Sequence, residues 1–267
     1  MKRRDLLKGS AFAILATLTA SYADTEKSTV ERVETSEDTK LSKKGKNPKV
    51  VVVGGGWSGL ALAKHVKRFA PQCDVVMVEK RDQFISCPMS NEWLVDLVDL
   101  DFLTHSYLDA SNNNHYDFVQ AEAIDVDQKK QLLKTTRGDI EYDYLVFAVG
   151  IDYDYFEWTK GDKVLERRLR SEYPAGFIPG SEHITIKEKI QNFKGGNFII
   201  TVPEWNYRCL AAPYERACLI ADYFKRHQIK GKVVIMDESN KIRIKDEGFS
   251  SAFSEIYKDY IVYMPSA

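Results

Sequence analysis

Lys49-Val50-Val51-Val52-Val53-Gly54-Gly55-Gly56-Trp57-Ser58-Gly59 is the stretch that decides the fold. A run of β-branched valines suits a strand buried on both faces, as in the middle of a parallel sheet. It leads straight into a G-x-G-x-x-G pattern. Leu62, Ala63, Val66 and Phe69 then recur at helical spacing, so a helix follows the glycines. Asp74-Val75-Val76-Met77-Val78 reads as a second strand. It ends on Glu79, about twenty residues past the last glycine, where a ribose-binding carboxylate belongs. Gly54 lets the chain turn tightly, Gly56 admits a pyrophosphate to the backbone, and Gly59 lets helix and strand pack closely. The helix N-terminus supplies oriented N–H groups to the anion. Trp57 and Ser58 inside the pattern, and Lys80 beside Glu79, join the expected cofactor-binding positions. Strand, glycines, helix, strand and acid in this order predict a dinucleotide-binding βαβ unit.

Downstream, short strand-like stretches run from Phe118 to Val126, Gln131 to Thr135 and Gly138 to Tyr142, separated by polar turns. They predict a β-meander inserted into the nucleotide-binding domain. Tyr144-Leu145-Val146-Phe147-Ala148-Val149-Gly150 returns as a buried strand, and Gly150 at its end is also expected at the cofactor. This excursion followed by an Ala-x-Gly strand resembles the flavin disulfide-reductase family and favours FAD over NAD. Further on, Asn197 to Val202 and Lys232 to Met236 predict two strands with a helix between them. Pro213 suits that helix's first turn, and Ala217, Ile220, Ala221 and Phe224 give it an apolar stripe. The expected class is therefore α/β. A Rossmann-like FAD-binding domain over residues 48–160 carries the meander, and residues 161–267 begin a second, NAD-type βαβ domain. The loop of that second unit, from Pro203 to Ala212, has no glycine, and its bulky side chains would obstruct a pyrophosphate. NAD(H) is therefore not expected as electron donor or acceptor.

The N-terminus reads as a targeting segment. Lys2-Arg3-Arg4-Asp5-Leu6-Leu7-Lys8 has the paired arginines of a twin-arginine signal, and Ser21-Tyr22-Ala23 offers small residues for cleavage. The apolar run between them, Ala11 to Leu18, is well short of the ~20 residues that span a bilayer. Residues 1–23 are thus expected to direct periplasmic export with no stable membrane span. That route carries folded proteins, which suits one that loads its cofactor in the cytoplasm. Asp24 to Asn47 is polar and charged, the composition of a disordered tether. Over the 267 residues, 44% hydrophobic and 29% charged side chains indicate a globular protein, and a net charge of −1 excludes the basic excess of a nucleic-acid binder.

The four cysteines have different surroundings. Cys87, in Phe84-Ile85-Ser86-Cys87-Pro88-Met89-Ser90-Asn91, lies in a loop at the carboxyl end of a parallel strand, which faces the cofactor crevice. Its thiol can reach the flavin end of a cofactor there, or simply pack as a half-buried small hydrophobe. Cys209 follows Arg208 and precedes a helix N-terminus. A cation and a helix dipole both favour the nucleophilic thiolate, with buried packing the alternative. Cys218 lies beside the apolar stripe and reads as packing, and Cys73 as a surface or edge residue. Neither the cysteines nor the five histidines have metal-site spacing, so no metal is expected.

These features together resemble the flavoprotein subunit of flavocytochrome c sulfide dehydrogenase, a relative of sulfide:quinone oxidoreductases. The resemblance runs from about Pro48 to the C-terminus. It is carried by Val51-Val52-Val53-Gly54-Gly55-Gly56, by Ser86-Cys87-Pro88-Met89-Ser90-Asn91-Glu92, and by Tyr207-Arg208-Cys209 with Pro213-Tyr214-Glu215-Arg216-Ala217. It implies that Cys87 carries FAD through a thioether and that Cys209 belongs to a redox-active disulfide beside the flavin. Sulfide attacks that disulfide, a persulfide forms, and electrons pass through FAD to a c-type cytochrome subunit. The resemblance also implies a longer chain. Because this one stops at Pro265-Ser266-Ala267, with no cysteine after Cys218, it is expected to be C-terminally truncated and to lack the disulfide partner of Cys209. Two rival functions follow: a sulfide:quinone oxidoreductase-like enzyme, or a truncated module that binds a nucleotide or docks a cytochrome without catalysis.

Overall fold

The structure, a computed structural model, describes residues 40–204 and 207–267. The export signal expected over residues 1–23 lies outside them, as does the tether as far as residue 39. The valine run forms the strand Lys49–Val53, inside a four-stranded parallel sheet ordered Tyr144–Phe147, Lys49–Val53, Asp74–Glu79, Asp117–Gln120. Strand side chains alternate between faces. Val50 and Val52 pack with Ala63, Met77 and Tyr107 under the helices Trp57–Phe69 and Tyr107–Asn114. Val51 and Val53 pack with Leu133, Ile140 and Tyr142 on the other face. Burying such side chains on both faces is worth roughly 1.5–3 kcal/mol each, which explains why the run contains nothing polar after Lys49.

The meander is present as Ala123–Asp127, Leu132–Thr135 and Gly138–Glu141, joined antiparallel. Two sequence expectations change here. The stretch Phe118 to Val126 is two strands, because the chain changes partners midway. Ala121 N–H still bonds to the Glu79 carbonyl at 3.0 Å, whereas Glu122 N–H turns to Thr136 Oγ1 at 3.1 Å. The tether, expected to run to Asn47, has structure from Lys40 onward. Lys40–Ser42 adds in parallel to Gly138–Glu141, and the Lys44 N–H donates to Glu141 Oε2 at 2.9 Å. A polar segment makes a strand when a sheet edge offers it backbone partners.

The second half holds a three-stranded parallel sheet ordered Gly196–Val202, Gly231–Asp237, Ile261–Pro265. The helix Ala212–Arg226 packs on it through the expected stripe, with Ala217, Ile220, Ala221 and Phe224 all fully buried. The chain on either side of residue 160 shares one core: Leu94 and Val95, just after the Cys87 loop, are buried with Ile186, Ile190 and Tyr214. That loop is therefore anchored in the second half, although its sequence belongs to the first.

Candidate functional site

At the carboxyl end of the first sheet, Gly54 takes φ +104°, and a Cβ there would lie 2.4 Å from the Ala148 carbonyl oxygen. Only glycine fits that turn. Gly59 packs its backbone against Gly54, where a Cβ would come within 1.9 Å of the Gly54 oxygen. Gly56 differs, since a Cβ there would meet nothing within 4 Å. It is the N-cap of Trp57–Phe69, a helix with no side-chain cap and no acid in its first turn. Unpartnered N–H groups thus open onto free space, the arrangement a diphosphate needs.

Glu79 is 7% exposed, and its Oε2 accepts the Gly55 N–H at 2.8 Å while Oε1 accepts from Arg81 Nε at 3.1 Å. Burial pushes its carboxyl up, but Arg81 and the Gly55 N–H outweigh burial and hold it below its ordinary value, so it is ionised. Both oxygens keep further acceptor capacity for a ribose. Trp57 stands exposed at the helix start, its ring edge-on to Phe84 at 5.2 Å, and Ser58 is exposed beside it. Lys80 lies out in solvent, 3.8 Å from Glu122. Gly150 follows the strand Tyr144–Phe147 at φ +83° with open space around it. These residues fit the nucleotide end of FAD.

The thiols come from both halves. A turn fixes Cys87: the Ser90 N–H donates to the Cys87 carbonyl at 3.0 Å, and Ser86 Oγ donates to the Pro88 carbonyl at 2.9 Å. Burial pushes the Cys87 thiol up, the Cys209 thiol adds to this, and Arg208, Ser90 and Arg216 act against it. Cys87 and Cys209 are therefore brought into one electrostatic neighbourhood. Cys209 is exposed and held at φ 58°, an uncommon conformation for a non-glycine residue. Its carbonyl accepts the Ala212 N–H at 3.0 Å at the start of the helix. All four cysteines are free thiols. Cys218 packs half-buried on the second core, its thiol pushed to about 11 chiefly by burial, which agrees with the packing reading. Cys73 is half-buried at the margin of the first core, packed against it as an edge residue.

Residues 184–267 match the family described as sulfide dehydrogenase [flavocytochrome c] flavoprotein chain, central, and residues 48–170 match pyridine nucleotide-disulphide oxidoreductase. The sulfide dehydrogenase [flavocytochrome c] flavoprotein chain of Chlorobaculum thiosulfatiphilum is 44% identical over 43 residues, which are 90% of that relative and 16% of this chain. The chain belongs to the flavocytochrome c sulfide dehydrogenase flavoprotein family. A mitochondrial sulfide:quinone oxidoreductase of Dictyostelium discoideum is 27% identical over 233 residues, covering 84% of this chain and 49% of the relative. The sulfide:quinone oxidoreductase structure from Aquifex aeolicus shares the fold with a TM-score of 0.66 at 20% identity, over 82% of this chain and 51% of that one. The chain thus spans about half the length of these longer relatives.

Four residues beside the thiols of this flavoprotein-family chain were assigned no role from sequence. Arg216 is half-buried. Its Nε donates to Asn91 Oδ1 at 2.9 Å, Nη1 to the Ala175 carbonyl at 2.8 Å and Nη2 to the Gly176 carbonyl at 3.1 Å. It ties the Cys87 loop to the second half and puts a cation next to the thiol. Glu215 has its carboxyl pushed up by burial and by nearby Glu92. Ser90 and His183 form a buried pair with Oγ and Nε2 3.0 Å apart. Ser90, Glu215 and Arg216 stand inside the stretches that carry the family resemblance, so a signal existed. His183 stands alone on its helix and offered none.

Proposed function

We propose that this protein is the flavoprotein of a periplasmic sulfide dehydrogenase, oxidising sulfide at Cys209 and passing electrons through FAD to a c-type cytochrome subunit. The observation that carries this reading is the convergence of Cys87 and Cys209, from the two halves of a family member, beside the half-buried cation Arg216. Gly54, Gly56, Gly59 and Glu79 would hold the nucleotide of FAD, and Cys87 would hold the ring covalently. Bound there, FAD supplies two-electron acceptance and one-electron release.

The chain's own groups have separate tasks. Burial pushes the Cys87 thiol up, and Arg208 and Arg216 act against that rise. Glu215, held toward its protonated form, can deliver or collect the proton exchanged by a sulfur nucleophile. NAD(H) does not enter the reading, because the acid of the second βαβ unit, Asp237, is wholly buried. The twin-arginine sequence at residues 2–8 supports export.

The likeness to sulfide:quinone oxidoreductases favours a second reading, in which the electrons go to a quinone. Among the described residues no helix is long and apolar enough to cross a membrane. The flavin-loaded full chain, mixed with sulfide and offered either cytochrome c or a soluble quinone, separates the readings. Sulfide-dependent cytochrome c reduction that Cys209→Ala abolishes is expected. Reduction of quinone alone establishes the second reading. Reduction of neither by a folded, flavin-loaded sample leaves a non-catalytic module and overturns both.

A further inference from the structure

We infer that the surface of residues 96–109 is the docking face for a basic, electron-accepting protein. Asp99, Asp101 and Asp109 meet its positive charges, and Leu100, Phe102 and Leu108 meet its apolar contact. That the partner accepts electrons rests on the proposed sulfide oxidation; the charge and shape of the face do not depend on it.

Charge is unevenly spread along the chain. From Asp82 to Gln128 there are ten acids and no lysine or arginine, although the net charge of the whole chain is only −1. The remainder is therefore basic on balance. Within the acidic stretch, Asp96 pairs with Lys187 of the second half. Asp99, Asp101 and Asp109 are exposed and have no ion pair among the described residues.

Apolar side chains stand out among these acids. Leu97, Leu100, Phe102 and Leu108 are between 40% and 59% exposed. The four-residue helix Leu100–Leu103 buries only Leu103, and Val98 to Phe102 line an open hollow of about 540 Å³. Apolar residues exposed singly are ordinary, but grouped ones mark a contact surface.

Backbone bonds hold this face against the site. Thr104–Ser106 pairs antiparallel with Gln83–Ile85, and the Ser86 N–H donates to the Leu103 carbonyl at 2.8 Å, one residue before Cys87. The Phe84 ring stacks on His105 at 6.3 Å and meets the exposed Trp57 edge-on at 5.2 Å. The face is thus continuous with the Cys87 loop and with the first turn of the nucleotide-binding helix. A partner seated on it lies beside the proposed flavin site, which keeps the path of an electron short.

The acids select among occupants. A symmetric dimer sets the same patch on both subunits, so a second copy would bring acid against acid, which is unfavourable. An anionic lipid surface is repelled for the same reason. A basic protein is attracted, and charges of this kind speed its association and make it salt-dependent.

The test is calorimetric titration of the flavin-loaded full chain with mitochondrial cytochrome c, a lysine-rich haem protein. Binding is expected at about 10 mM salt and about tenfold weaker at about 150 mM, as the Debye length falls from about 30 Å to about 8 Å. Asp99→Asn with Asp101→Asn weakens binding about tenfold at the lower salt and flattens the salt dependence. Leu100→Ser with Phe102→Ser also weakens it about tenfold but leaves the salt dependence unchanged. Glu157→Gln with Trp158→Ala, an exposed acid and aromatic on the helix Phe156–Thr159, changes neither. If the serine pair loses its fold in urea unfolding, the asparagine pair decides alone. Equal binding by the parent and the asparagine pair, or binding by neither, overturns the inference. So does a parent dimer in sedimentation, or attachment to phosphatidylglycerol vesicles, that the serine pair abolishes. Face-dependent binding without sulfide-dependent cytochrome reduction keeps the docking face and removes the proposed reaction. Sulfide-dependent reduction that is equally fast in the asparagine pair keeps the reaction and overturns the face.

Discussion

Tyr214 gives its hydroxyl hydrogen to Asp237 Oδ2 at 2.5 Å, in a place where Asp237 has no exposed surface. Asp237 ends the strand Gly231–Asp237 and so occupies, in the second βαβ unit, the position that Glu79 occupies in the first. Tyr263 donates to the same oxygen at 3.0 Å, and the Ser239 N–H donates to Oδ1 at 2.9 Å. The acid is satisfied from inside the protein and closed to a ribose. Titration with NADH should show no binding, and Tyr214→Phe should not create any, since Tyr263 and Ser239 keep the carboxylate. The substitution should cost about 1.5–3 kcal/mol in urea unfolding, the worth of one hydrogen bond to a charged group.

Gly56 and Gly59 should respond oppositely to one added methyl. Gly59→Ala drives its Cβ to within 1.9 Å of the Gly54 backbone oxygen, which cannot give way without moving the strand. It should destabilise the chain by about 3 kcal/mol or more. Gly56→Ala meets nothing within 4 Å and needs no unusual backbone, so unfolding should change by less than about 1 kcal/mol. The methyl instead occupies the space a diphosphate would enter, and flavin affinity, measured by fluorescence titration, should fall at least about tenfold. Equal losses of stability in the two variants would contradict this division of roles.

The first βαβ unit was legible because its valines and glycines answer local demands: burial on two faces, a positive φ, a close helix. The second helix was legible for the same reason, through one apolar stripe. What could not be read was contact between halves. Nothing local to Ser90 or His183 says that they meet, and Leu94 and Val95 look like any apolar pair until they are seen in the second core. The Lys40–Ser42 strand was hidden because its stability lies in backbone bonds to Gly138–Glu141, which polar composition does not announce.

Acid should weaken the fold through His183 before it acts on the carboxylates. Its pKa falls from an ordinary 6.5 to about 4, so between those values the unfolded chain takes up a proton that the folded chain refuses. Stability is then full above pH 6.5 and is lost as pH falls through the window, by up to about 3 kcal/mol at its lower end. Glu79, held below its ordinary 4.5, adds its own loss only under that pH. Urea unfolding from pH 7 to pH 5 should show this slope in the parent chain. His183→Gln, which cannot titrate, should flatten it, and an unchanged slope would assign the effect elsewhere.

Cys87→Ala tests the covalent attachment apart from the nucleotide site. Cys87 is half-buried at a turn held by backbone bonds and by Ser86, so exchanging its thiol for a methyl leaves the Gly54–Gly59 cradle and Glu79 in place. The variant should still fold and still bind FAD reversibly. On acid denaturation its flavin should appear in the supernatant, whereas the parent's should stay with the precipitated chain. Cys209→Ala provides the contrast: Cys209 is exposed and reaches the same neighbourhood from the other half, so its loss should leave the flavin attached while removing sulfide-dependent reduction. Flavin released from the parent as readily as from Cys87→Ala would mean that Cys87 faces the cofactor without bonding to it.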